Sequence, residues 1–133
     1  RLLLDDQDAY RAMAEDAVDA ALVAGRFLHR PCQTHRLPLV GAMGAIPADA
    51  PKLIVEAHGS ESAAVMAEAG GDPRLLEPIE EGLEVTPAQF LFAVRHEGAL
   101  TVDDVLDRRT RLGMCADDRE AALDIAQWAL AQV

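Results

Sequence analysis

Over residues 8–24, "DAYRAMAEDAVDAALVA", apolar positions return every third or fourth residue. Tyr10, Met13, Ala14, Ala17, Val18, Ala21 and Leu22 share one stripe at that spacing, which predicts an amphipathic helix. Asp8 suits its N-cap and Gly25 its stop. The period is then lost over 26–49, where Pro31, Pro38, Pro47, Gly41 and Gly44 punctuate the chain. A long extended connection is expected there, with Leu37, Leu39 and Val40 pinning it to a neighbouring surface.

Helical period resumes over 51–58, with Pro51 opening and Gly59 closing the segment. Ser60 and Gly70 bracket another short helix, and Asp72 with Pro73 caps a further turn in "DPRLLEPI". After the link "EGLEV", the trio Thr86, Pro87 and Gln89 carries a capping box for a helix over 86–97, stopped by Gly98. Thr101 with Asp104 repeats that signal for a helix to about residue 112, closed by Gly113. Asp117 with Glu120 repeats it for a last helix over 118–131. No strand pattern competes. The prediction is an all-α chain: a small orthogonal bundle of about six helices with one long extended connection, in a single domain over 1–133.

The polar residues on these helices sharpen the picture. Three arginines crowd the stretch "RHEGALTVDDVLDRRTRLG". Arg108 is four after Asp104 and Arg111 four after Asp107, acid-first spacings that favour a solvated face. Arg109 falls in line with Val102 and Val105, and Glu97 in line with Phe90 and Val94. A buried unpaired guanidinium is too costly to expect. The predicted site is therefore a buried structural ion pair, Glu97 with Arg109, at the corner between two helices. On the last helix, Ala121, Ile125 and Trp128 form one stripe and Ala122, Ala126, Ala129 and Val133 another. So wide an apolar face belongs to the core or to a docking surface, and self-association would cover it in isolation.

Composition removes several function classes. Asp plus Glu total 23 against 12 Lys plus Arg, a formal charge of −11, which opposes nucleic-acid binding and a polybasic membrane anchor. Aromatic residues are only 4%, so stacking platforms are scarce. Cys32 and Cys115 are read as reduced thiols of a cytoplasmic protein, and no apolar run reaches the roughly 20 residues of a spanning helix. The opening "RLLLDDQD", without an initiator Met, is read as a piece of something longer. His29, Cys32 and His35 have the wrong spacing for a zinc set, and Arg30 and Arg36 beside them oppose a cation. Glu77, Glu80, Glu81 and Glu84 read as a solvated turn, and the four methionines as core fillers.

"AVRHEGALTVDDVLDRRTRLG" closely resembles the C-terminal domain of aerobic, FAD-dependent glycerol-3-phosphate dehydrogenases of the actinobacterial type. "YRAMAEDAVDAAL", "HGSES" and "DPRLLEPIEEGL" agree, as do Thr34, Leu37, Pro38, Leu39, Gly41 and Ala42 in the pattern Thr-x-x-Leu-Pro-Leu-x-Gly-Ala. The likeness runs from residue 10 to about residue 123. Where the family has Gly-Gly-Lys-Leu-Thr-Thr before the tyrosine, this chain has "LLLDDQDA", and no Gly-x-Gly-x-x-Gly fingerprint occurs. The resemblance implies a helical cap whose flavin-binding domain is absent from this chain and would be its partner. It implies a parent that oxidises sn-glycerol 3-phosphate to dihydroxyacetone phosphate with FAD, passes electrons to quinone, and meets the inner face of the membrane peripherally. It implies no cofactor in this fragment and an inactive fragment, and it carries no catalytic, cofactor-binding or metal residue onto these positions. A reading of another class is a helix-turn-helix nucleic-acid module using "FAVRHEGALTVDDVLDRRTR", which Asp103, Asp104 and Asp107 oppose by charge.

Overall fold

The computed structural model describes residues 6–133. They form five α-helices, a π-helix and short 3-10 turns, and no strand occurs among the described residues. The chain divides into two compact units, one ending at Leu39 and the other spanning Val40–Val133.

In the first unit, α1 (Asp6–Ala24) contains Asp8, the expected cap, within the helix. Its end shows how the stop works. Arg26 N–H donates to the Val23 carbonyl and Phe27 N–H to the Leu22 carbonyl, a Schellman arrangement. Its left-handed position falls on Arg26 (φ 55°), one residue beyond the expected Gly25. No residue from 9 to 39 is buried. The predicted stripe is helical but uncovered, with Tyr10 75% exposed. Residues 1–5, where the departure from the family pattern begins, lie outside the described residues.

The second unit is organised around α4 (Pro87–Arg95), which is apolar on nearly every side and is buried from Ala88 to Ala93. On one side Phe90, Leu91 and Ala93 join Val105, Leu106, Leu112, Ala122, Ala126 and Ala129 in one core. On the other, Ala88 and Phe92 meet Ile54, Val65 and Ala69. Ile54 comes from α2 (Lys52–His58) and Val65 from α3 (Ser62–Ala67). The alanines belong to α5 (Ala116–Leu130), and their small side chains let it lie close to α4. On α5 the Ala122, Ala126, Ala129 stripe is the core face, whereas Trp128 (37%) and Val133 (79%) stay at the surface.

Two of the predicted caps form as complete boxes. Thr86 and Gln89 cap α4 reciprocally, and Thr101 exchanges backbone and side-chain bonds with Asp104. Asp72 caps the further helical turn as expected, accepting from the Arg74 N–H, and the turn is a 3-10 one, Pro73–Leu76. Other expectations are corrected. The helix after Thr101 becomes a π-helix, Asp104–Arg109, and stops at Thr110 instead of near residue 112. The Thr110 N–H donates to the Val105 carbonyl five residues back, and its hydroxyl donates to the same oxygen, which widens and ends the turn. Arg111 (φ 62°) takes the left-handed role expected of Gly113. Gly113 is instead packed against Asp107, where a Cβ would collide with the carboxylate. The last helix starts at Ala116, capped by no side chain, with Asp117 in its first turn.

The connection expected to be extended carries a 3-10 turn, Thr34–Arg36, and is otherwise irregular, and the apolar residues expected to pin it are exposed. Leu37, Leu39 and Val40 are 65%, 82% and 83% exposed. Within the second unit the anchor is backbone. The Ser60 N–H donates to the Gly41 carbonyl at 2.9 Å, and the Ser60 hydroxyl to the Met43 carbonyl at 2.7 Å. Met13, Met43 and Met114 are likewise exposed and not core fillers, because alanine, leucine, valine and phenylalanine already fill the cores.

Candidate functional site

A cleft of about 500 Å³ opens along α4. Its floor is set by Gln89 and Ala93, one turn apart on α4, with Val85 before the helix and Glu97 beyond its end. Ala57, His58 and Glu61 form one wall, Arg108, Arg109 and Thr110 of the π-helix region another, with Val40 and Glu84 at the rim.

The arginines on the second wall are already engaged. Arg108 pairs with Asp104 one turn back. The Asp104 carboxyl is pushed down to about 2 by the Leu100 N–H, the Thr101 hydroxyl and Arg108. Arg119 reaches from α5 to Asp103 and, at 3.5 Å, to Asp107. Arg109 and Glu97 do come together, but not as the buried ion pair expected. Arg109 Nε and Nη2 donate to the Glu97 backbone carbonyl at 3.1 and 2.6 Å. The Glu97 carboxylate stands 3.9 Å away, and the two side chains are 36% and 33% exposed. The physical reason lies at the end of α4. Carbonyls at and beyond a helix C-terminus lack intrahelical partners and carry partial negative charge, so a cation fits there. The wider π turn also shifts the phase of Arg109 away from the inward line that an α-helical spacing implied.

The first wall holds what the sequence reading missed. His58 is half-buried, its Nε2 lies 3.1 Å from Gln89 Nε2, and its ring meets Phe92 edge-on at 5.4 Å. Burial holds the His58 imidazole below its ordinary value, against the opposing pull of Glu97 and Glu61. Gln89 had shown itself only as a cap. The four-residue step from Gln89 to Ala93 was the available signal for a shared face. Across Phe92, His96 and Arg95 hold Glu68 at 2.8 and 2.5 Å. Burial pushes the Glu68 carboxyl upward, but the hydrogen bonds from His96 and Arg95 outweigh it and leave it lowered.

The remaining sequence candidates are scattered. His29 contacts Asp19, Cys32 contacts Thr34, and His35 accepts from Arg36. No group of three metal-ligating side chains occurs among the described residues. Cys32 and Cys115 are free thiols. Glu77, Glu80, Glu81 and Glu84 are exposed on a turn. No helix among the described residues is long and apolar enough to cross a membrane.

The model of one protein family, the C-terminal domain of alpha-glycerophosphate oxidase, matches residues 32–132. The chain belongs to this family. Relatives of the alpha-glycerophosphate oxidase C-terminal domain family carry the same theme in their names. "Glycerol-3-phosphate dehydrogenase 1" of Mycobacterium tuberculosis (strain ATCC 25618 / H37Rv) is 44% identical over 124 residues, 89% of this chain and 24% of that protein. "Glycerol-3-phosphate dehydrogenase 2" of the same strain is 32% identical over 120 residues, 79% of this chain and 20% of that protein. "Probable glycerol-3-phosphate dehydrogenase, mitochondrial" of Dictyostelium discoideum is 29% identical over 129 residues, 83% of this chain and 19% of that protein. The chain thus spans about a quarter of the length of the relatives it matches best among these. No solved structure matches it. Neither these relatives nor the geometry supports the helix-turn-helix reading, because Arg108 is held by Asp104 and Arg109 by the Glu97 carbonyl.

Proposed function

We propose that this chain is the structural cap of an FAD-dependent dehydrogenase. The whole enzyme would oxidise sn-glycerol 3-phosphate to dihydroxyacetone phosphate and deliver the electrons to quinone. The match of residues 32–132 to the family carries this reading. Flavin and substrate belong to the flavin-binding domain of the same parent chain. The cleft along α4 does not fit the cofactor, because Glu61, Glu84 and Glu97 line it and its two arginines, Arg108 and Arg109, are already engaged with Asp104 and the Glu97 carbonyl. No redox step therefore runs through these residues. The parent is cytoplasmic and meets the membrane peripherally. The apolar face of α1 supports a docking role toward the parent, since Tyr10 (75%) and Met13 (67%) of its stripe are exposed.

The assay is made on the full-length gene product with sn-glycerol 3-phosphate and a soluble quinone. Bleaching of the flavin and accumulation of dihydroxyacetone phosphate are expected. A full-length product that binds no flavin, or leaves this substrate unchanged, would overturn the proposal. The 133-residue chain alone is expected to purify colourless and inactive.

Within the cap, Arg109 and Glu97 act as a structural pair that holds the corner between α4 and the π-helix. The hydrogen bonds run to the backbone of Glu97, so the two side chains contribute unequally. Arg109→Ala is expected to cost roughly 1–2 kcal/mol, a charged hydrogen-bond donor discounted for its exposure. Glu97→Ala should cost under about 0.5 kcal/mol. Urea unfolding of both variants checks this, and equal losses would mean that the carboxylate matters as much as the carbonyl.

A further inference from the structure

Gln89 is a buried polar side chain, 5% exposed, at the N-terminus of the central helix. Its Oε1 is engaged twice, accepting the Thr86 N–H at 2.9 Å and the Thr86 hydroxyl at 3.2 Å. Those bonds belong to the capping box of α4, completed by the Gln89 N–H donating to Thr86 Oγ1 at 3.4 Å. With the oxygen committed, the amide nitrogen faces His58 Nε2 at 3.1 Å. An amide NH2 only donates, so His58 Nε2 accepts, the imidazole is neutral, and its hydrogen sits on Nδ1. Turning the Gln89 amide over would offer His58 an oxygen, but it would set NH2 against the Thr86 N–H, donor against donor. The cap of one helix therefore fixes the tautomer of a histidine at the end of another.

The surroundings give a protonated ring somewhere else to go. His58 shares its cleft with Glu61 from the turn after α2, Glu84 from the link before α4, and Glu97 beyond the end of α4. Arg108 and Arg109 face the same space from the π-helix, already bonded to Asp104 and to the Glu97 carbonyl. Behind His58, Phe92 separates it from His96, whose Nε2 is engaged with Glu68.

We propose that His58 is a proton-operated latch: neutral, it ties α2 to the capping box of α4, and protonated, it leaves Gln89 for Glu61 and Glu97 and reshapes the cleft between the helices. The proton comes from solvent and adds to Nε2, and the hydrogen bond from the Gln89 amide is the bond lost. Burial of His58 favours the latched form at neutral pH. Because the folded-state value lies below the ordinary 6.5, the unfolded chain binds more protons just below that pH. The stability supplied by the latch is complete above 6.5 and is lost as the pH falls from there toward the folded-state value.

The test is a nuclear magnetic resonance titration of the whole chain, isotope-labelled on histidine and glutamine, from about pH 8 to about pH 5. The Nδ1–H tautomer is expected at high pH, a His58 midpoint below 6.5, and Gln89 amide signals that move with that midpoint. Gln89→Glu keeps an acceptor for Thr86 and gives His58 a carboxylate partner, so the midpoint should rise by about one pH unit or more. A wild-type Nε2–H tautomer, Gln89 signals that ignore the His58 midpoint, or an unchanged midpoint in the variant would each overturn the latch. Should Gln89→Glu fail to fold, His58→Gln replaces it, since its amide oxygen can still accept from Gln89. Wild type should lose melting temperature below 6.5 where His58→Gln does not, and parallel profiles would overturn the proposal.

Discussion

Gly59→Ala is expected to destabilise the chain by roughly 3 kcal/mol or more, which lowers its melting temperature on the order of 10 °C. Two independent costs add. Gly59 holds φ 55° and ψ −125°, a combination that residues with a Cβ avoid and that costs about 1–3 kcal/mol when forced. A Cβ there would also lie 2.2 Å from the Gly41 carbonyl oxygen, which is backbone and has no freedom to swing aside. The approach is mutual, because a Cβ on Gly41 would lie 2.5 Å from the His58 carbonyl oxygen. This contact brings the Gly41 carbonyl onto the Ser60 N–H and so anchors the chain before α2 to the junction of α2 and α3. Gly82→Ala separates the two costs. Its φ is 94°, but no atom lies within 4 Å of the added carbon, so only the backbone cost remains. Differential scanning calorimetry of both variants decides the matter: equal losses would remove the contact with Gly41 from the explanation.

Phe90→Ala is expected to cost about 3–5 kcal/mol, the range for emptying a large aromatic site that the surroundings cannot refill. Phe90 is fully buried on α4 and lies in the core shared with Val105 and Leu106 of the π-helix and Ala122, Ala126 and Ala129 of α5. Alanines on the facing helix cannot reach into the vacated space, since they have no side chain to rearrange. Phe27→Ala is the control, because Phe27 is 69% exposed, and its removal should stay within about 0.5 kcal/mol. Guanidinium unfolding curves of the two variants should therefore separate clearly. A Phe90→Ala midpoint near that of Phe27→Ala would show that α4 is not the centre of the core.

Much of the helical pattern was legible. The caps at Thr86 with Gln89, Thr101 with Asp104, and Asp72 join groups only two or three residues apart, so the sequence contains the whole interaction. The central position of α4 was not read from the sequence, where only the stripe of Phe90 and Val94 stood out, although residues 88 to 93 are all buried. Helix ends were less legible. Arg26 and Arg111 took the left-handed positions that glycine was expected to fill, because the backbone bonds closing those turns select a position in the chain and not the residue best suited to it. The inward phase assigned to Arg109 assumed an α-helical period across a segment that winds as a π-helix. Of the candidate site, Glu97 and Arg109 were found from their spacing, but their bond runs through a carbonyl that every residue possesses. A backbone acceptor leaves no mark in the pattern of side chains. His58 was visible only within "HGSES", and nothing local marked the residue it would meet.

What the amino-acid order determined by itself was local and compositional: where helices start, which faces are apolar, and an acidic charge that opposes nucleic acid. Those properties depend on groups within a turn or two of each other, or on sums over the chain. Only the tertiary structure decided that Gly41 meets Gly59 and that the cap of α4 meets His58 across 31 residues. It also decided that an arginine read as a core ion is a partly exposed cap on a helix end. Each of those contacts depends on how separate helices are set against one another, and no period within a single segment encodes that geometry.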